Sequence, residues 1–216
     1  MKINKPSINS VLLAGLAILT ASACFNNTEG EKIAAESVCG GLSKVAASAV
    51  EKVTASKSFK KESSADLKAF AAQASSTLRG AGKEESQVFC RINPAEGDDP
   101  PTPRISFEPY DRKEVPPDRK TKVVGEMYFP FSLQALSTYT YADIYFECRP
   151  LGTREEGKAP PVIHGRFSYG HRLVGGKGGL DSITLNMDIL QHVARNVAGH
   201  LGCENHGDIP KRDKPW

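Results

Sequence analysis

The chain has 216 residues, of which 28 are basic and 25 acidic, for a formal net charge of +3 at pH 7. That length suits one domain with ample material for a core. Charge so nearly balanced, and interspersed along the chain, excludes the electrostatic footprint of a nucleic-acid binder.

The N-terminus reads as an export signal. Met1 to Asn9 holds Lys2 and Lys5 and no acid, and Val11 to Ala23 is the uncharged run VLLAGLAILTASA. A basic start followed by a short apolar run is the secretory pattern. The run falls short of the roughly 20 residues that span a bilayer, and polar NNTEGEK follows it. Ala21-Ser22-Ala23 meets the small-x-small rule of ordinary signal peptidase. The same residues followed by Cys24 resemble a bacterial lipobox, with Ala21 where Leu is usual. Cysteine arithmetic favours the lipobox. The chain has five cysteines, and an exported domain meets an oxidising compartment where cysteines pair. Setting Cys24 aside as a lipid-attachment residue leaves Cys39, Cys90, Cys148 and Cys203, an even set. Two acyl chains then suffice for stable anchoring. The expected organisation is a signal peptide at 1–23, a flexible tether at 24–36, one domain at 37–206 and a flexible tail at 207–216.

Within the domain, Leu42, Val45, Ala46, Ala49, Val50 and Val53 recur at helical spacing and predict a helix over 42–55. Ser64 is placed to cap a second helix carrying Leu67, Phe70, Ala71, Ala74 and Leu78, with Gly80 ending it. Ser86 to Asn93 alternates like a strand, a proline-rich acidic loop follows, and Ile105 to Tyr110 is a second strand. A charged loop over 111–120 leads to an aromatic stretch at 123–136. Tyr139 to Arg149 and Val162 to Gly170 read as further strands. A last helix begins at Asp181 or Ser182, presents Leu190, Val193, Ala194, Val197 and Leu201, and meets Gly202 as its C-cap. The pattern predicts an α+β fold, with helices packed on one face of a mostly antiparallel sheet of four or five strands.

Strand alternation places the cysteines. Tyr139, Tyr141, Asp143, Tyr145, Glu147 and Arg149 share one face; Ala142, Ile144, Phe146 and Cys148 share the other. Val88, Cys90 and Ile92 likewise share a face. Both strand cysteines belong to the apolar side, beneath helices that begin at Cys39 and end at Cys203. Two sheet-to-helix bonds are therefore expected. Of three connectivities, Cys39–Cys90 with Cys148–Cys203 is the preferred one. Each closes a loop of roughly 50 residues, worth about 4 kcal/mol in the chain-entropy model.

CGGLSKVAASAVEKVT opening the domain, FCRI in its middle, and YFECR and AGHLGCEN near its end together resemble a group of small exported proteins and predicted lipoproteins of streptomycetes and related actinobacteria. The resemblance covers roughly residues 37 to 210. It implies a surface location and paired cysteines, and it transfers no catalytic residue.

Candidate chemistry is sparse. His192, His200, Cys203 and His206 have spacings that could be drawn as a zinc site, but a disulfide cysteine beside solvent-facing histidines at a helix end is the preferred reading, since an oxidised Cys203 cannot ligate. HGRFSYGH approaches a nucleophile elbow around Ser168, with Arg166 standing where a glycine is needed. VGGKGG at 174–179 hints at a phosphate cradle, yet His171 occupies the place of its first glycine and no Ser or Thr follows Lys177. Asp143 and Glu147 are the carboxylates of the tyrosine face. That face, with Tyr139, Tyr141, Tyr145 and Arg149, is the leading candidate for binding a protein, peptide or glycan, because tyrosine and arginine anchor interfaces well. The plainer reading, and the preferred one, is a face covered by the charged loop at 111–122 or simply exposed. No catalytic residue, metal or cofactor is expected. The functional expectation is a non-enzymatic binding or scaffolding domain on the outer face of the cell membrane, or secreted; an extracytoplasmic hydrolase or metal-binding protein is the alternative.

Overall fold

The computed structural model describes residues 30–79, 86–96, 102–117, 124–151, 159–169 and 180–216. The signal segment, Cys24, the glycine at 80 and the VGGKGG loop lie outside these.

The fold is α+β. Two short strands, β1 (Lys32–Ala34) and β2 (Ser58–Lys60), pair antiparallel. They flank a 3-10 segment at Ala35–Gly40 and the helix α1 (Lys44–Thr54). Ser43 caps α1, its hydroxyl accepting the Ala46 N–H at 3.3 Å. Helix α2 (Leu67–Arg79) starts at Asp66 and not at Ser64, because the Asp66 carboxylate reaches the Ala69 N–H at 3.0 Å. The main sheet follows: β3 (Gln87–Arg91), β4 (Arg104–Tyr110), β5 (Glu126–Phe129), β6 (Gln134–Thr138), β7 (Tyr141–Glu147) and β8 (Val162–Ser168). Helix α3 (Leu180–His200) closes the domain.

The sheet has six strands, one more than the upper expectation, in the order β3-β4-β8-β7-β6-β5 and antiparallel throughout. The aromatic stretch supplies the extra strand, folding as the β5–β6 hairpin. Strand β8 slots between β4 and β7, so the centre of the sheet joins segments distant in sequence.

All three helices lie on one face. Ile105, Phe107, Ile144, Phe146, Ile163 and Phe167 point into the core, as do Met187, Leu190, Val193, Ala194 and Val197 from α3. Gly165 sits beneath α3, where a Cβ would come within 2.8 Å of the Phe107 ring. The glycine lets helix and sheet approach. Both expected disulfides form: Cys39–Cys90, spanning 51 residues, and Cys148–Cys203, spanning 55. Each ties the flank of a helix to the core side of a strand.

Three details depart from expectation. A bulge between Val88 and Cys90 breaks the alternation of β3. Cys90 stays on the core side, while Val88, opposite Ser106, turns to the other face and is 41% exposed. The expected tether at 24–36 ends in structure: Ile33 pairs with Phe59 and packs on the core, and Ala35 is fully buried. The expected tail at 207–216 is docked. Lys211, Asp213 and Lys214 are solvated as their charge suggests. The intervening residues fold back: the Trp216 indole N–H donates to Gln191 at 2.8 Å, its ring stacks on Phe131, and Arg212 lies over it at 3.7 Å. Apolar surface on α3 and β5–β6 outweighs the polar reading of KRDKPW.

Candidate functional site

The face of the sheet away from the helices is polar, and register determines what meets there. Glu108 on β4 and Tyr145 on β7 both stand directly opposite His164 on β8. Asp143 stands opposite Arg166. Four charged side chains from three adjacent strands thus form one network. His164 Nδ1 meets the Glu108 carboxylate at 2.7 Å and Nε2 meets Asp143 at 2.8 Å. Arg166 donates twice to Asp143, from Nε at 2.8 Å and Nη2 at 3.0 Å. This bidentate, charge-assisted geometry is among the stronger hydrogen-bond arrangements.

The electrostatics follow from the contacts. Burial works against a charged His164, but its hydrogen bonds to Asp143 and Glu108 win and hold the imidazole above its ordinary value. Burial likewise opposes an ionised Asp143, and the bonds from His164 and Arg166 overcome it and keep the carboxyl below its usual range. The His164 hydrogen bond, ahead of a smaller burial effect, lowers Glu108. The network is two carboxylates, one imidazolium and one guanidinium, and its formal charge sums to zero.

Aromatic rings complete it. Tyr145 stacks flat on His164, centroids 4.4 Å apart and planes 5° off parallel, a contact suited to an imidazolium. Tyr110 meets both rings edge-on, at 4.9 and 5.3 Å. Burial pushes the Tyr145 phenol well up. Arg166 lies over the Tyr141 ring at 5.0 Å. Gln134 on β6 extends the row beyond Tyr145; it is buried, and among the described residues neither end of its amide has a hydrogen-bond partner.

The expected binding face is therefore divided. Tyr145 is buried inside the network. Tyr141 is half-buried beside Arg166. Tyr139 leaves the strand for the β6–β7 turn, where its carbonyl accepts the Tyr169 hydroxyl. Arg149 lies beyond β7 and faces Glu204 at 3.8 Å. The charged loop covers one end: Arg112 reaches over to pair with Glu147.

The other candidates separate. Cys203 is in a disulfide, and among the described residues no three His, Cys, Asp or Glu side chains gather as a metal site. His192 accepts the Ser43 N–H at 3.2 Å from the start of α1, and burial lowers it toward the neutral ring. Ser168 ends an extended strand and accepts from Arg104 at 3.4 Å, so it sits on no elbow.

The sequence reading missed His164 and Glu108. Neither strand carries both, and only the pairing of β4 with β8 brings them together. No family model, curated protein or solved structure matches this chain. Among the described residues no helix is long and apolar enough to cross a membrane.

Proposed function

We propose that the chain is an exported domain, held at the outer face of the cell membrane by lipid on Cys24, that binds a ligand through the polar face of its sheet. The observation carrying this reading is the cysteine balance. Two disulfides use Cys39, Cys90, Cys148 and Cys203, and Cys24 alone remains of five. Disulfides of this kind belong to oxidising compartments, and the leftover cysteine directly follows an apolar run and a small-x-small site. The resemblance to exported actinobacterial proteins points the same way.

Binding is favoured over catalysis by the state of His164. Both its nitrogens are engaged by carboxylates, so the protonated ring turns no lone pair and no free N–H toward a substrate. The network is built to stay put, and rigid strands make a good platform for recognition.

Intact mass of the native protein from an exporting bacterial host tests the reading. The expected mass begins at Cys24, carries a diacylglyceryl and an acyl group, and lacks the four hydrogens removed by two disulfides. Cys24→Ala should move the protein from membranes to the medium. A product retaining residues 1–23 in the cytoplasm, with free thiols, refutes it.

A further inference from the structure

We infer that the margin of this polar face, formed by Arg91, Arg104 and Arg166, binds an anionic polysaccharide. The inference rests on the binding role proposed above and names its ligand class. Arg91 on β3 and Arg104 on β4 stand directly opposite each other, both exposed. Like charges in that position are destabilising in an antiparallel pair, and a protein has no folding reason to place them so. Arg104 stands opposite Ser168 and therefore diagonal to Arg166, about 7–8 Å away between Cα atoms. Ser106 and Ser168 lie between the arginines on the same face.

No carboxylate among the described residues pairs with Arg91 or Arg104. The nearby acids are already engaged: Glu108 holds His164, and Asp143 holds His164 and Arg166. Arg166 keeps its outer edge in water, with 45% of its side chain exposed. Among the described residues, then, Arg91 and Arg104 have no acidic partner, and an anionic ligand would supply one.

Its shape selects the ligand. Donors that recognise one oxyanion converge on a point. These arginines stand on three neighbouring strands of a sheet, a span of about 10 Å at the usual strand spacing. A linear polymer with acidic groups at intervals fits that line, and the half-buried Ser168 hydroxyl, which accepts from Arg104 at 3.4 Å, stands beside it. Nucleic acid is disfavoured. The chain lacks a broad basic field, and Tyr141, the aromatic ring nearest the arginines, already carries Arg166 over it, where a base would have to stack.

The test is calorimetric titration of the purified protein with polygalacturonate oligomers at low and moderate salt. Binding should weaken steadily with salt, as displaced counterions require. Arg91→Gln with Arg104→Gln should weaken it at least tenfold without lowering the melting temperature. Lys57→Gln with Lys211→Gln, which removes the same charge from other exposed positions, should change it less than twofold. Inorganic phosphate, phosphatidylglycerol vesicles and a deoxythymidine 20-mer should each bind at least tenfold more weakly. The inference is overturned by absent binding at low salt, by equal loss in the lysine control, or by phosphate, vesicles or oligonucleotide matching the polymer. The two readings fail separately. A protein that binds the polymer but leaves its host without lipid sinks the anchor alone; an anchored protein indifferent to the polymer sinks this inference alone.

Discussion

Replacing Asp143 by Asn tests the centre of the polar face most directly. Asp143 is 3% exposed and accepts three hydrogen bonds, one from His164 and two from Arg166. Asn keeps the shape and removes the charge, leaving His164 with one carboxylate and Arg166 with none. Breaking a buried pair from one side costs about 3–5 kcal/mol. Arg166 can turn toward water through its exposed side, which argues for the lower end, about 3 kcal/mol. In a domain of this size each kcal/mol moves the melting temperature by about 2–4 °C, so Asp143→Asn should melt about 6–12 °C lower by circular dichroism at pH 5.5. The pH dependence has a determined sign. The carboxylates are lowered from 3.8 for Asp143 and 4.5 for Glu108, so their contribution is complete above those values and is lost as pH falls through the folded-state values. His164 is raised from 6.5, so its contribution is complete below 6.5 and is lost as pH rises through the folded-state value. The gap between wild type and variant should be widest between about pH 4.5 and 6.5 and narrow on both sides. A variant melting within about 2 °C of wild type across that range would refute the network as a source of stability.

Two further outcomes are expected. Cys148→Ala with Cys203→Ala should cost about 4 kcal/mol from a 55-residue closure, read by denaturant unfolding, and unreduced peptide maps should contain Cys39–Cys90 and no Cys90–Cys148 peptide. Asp188 should respond to pH in the opposite sense from the carboxylates of the network. Burial raises it to about 6, against the opposing pull of Arg212, the Trp216 backbone N–H and Lys52. An acid raised on folding weakens the fold as pH rises through about 6, so Asp188→Asn should gain in melting temperature on wild type between pH 5 and pH 8, and an equal gap at both pH values would refute burial as the cause.

What the sequence disclosed, and what it hid, follows from the range of each interaction. Helix stripes such as Leu190, Val193, Ala194, Val197 and Leu201 are local, and they bury as their spacing requires. Cys90 and Cys148 could be assigned to the core side because side-chain alternation is local too. Even there one inserted residue turned Val88 outward, since a bulge leaves little trace in composition. The network could not be read in advance. It depends on β8 entering between β4 and β7, which puts His164 56 residues from Glu108 and 21 from Asp143 into hydrogen-bond contact. The tail was misjudged for a related reason: its binding groove is assembled from β5, the segment after it, and α3, none of which is near it in sequence.

The arrangement of charge on the polar face carries the functional argument further than any single residue. A sheet face can be made soluble by alternating acids and bases across strands, and the usual outcome is pairs exposed to water and worth little. Here the acids at the centre are withdrawn from that role. Asp143 and His164 are buried, and the Glu108 side chain is only 32% exposed. Together with Arg166 they neutralise one another under the rings of Tyr110 and Tyr145. Concentrating the carboxylates at the centre leaves Arg91 and Arg104 at the margin with no acidic partner among the described residues. On the binding role proposed above, opposed arginines on a rigid, disulfide-tied sheet select for ligands that match their spacing, where a diffuse excess of lysine would attract any anion.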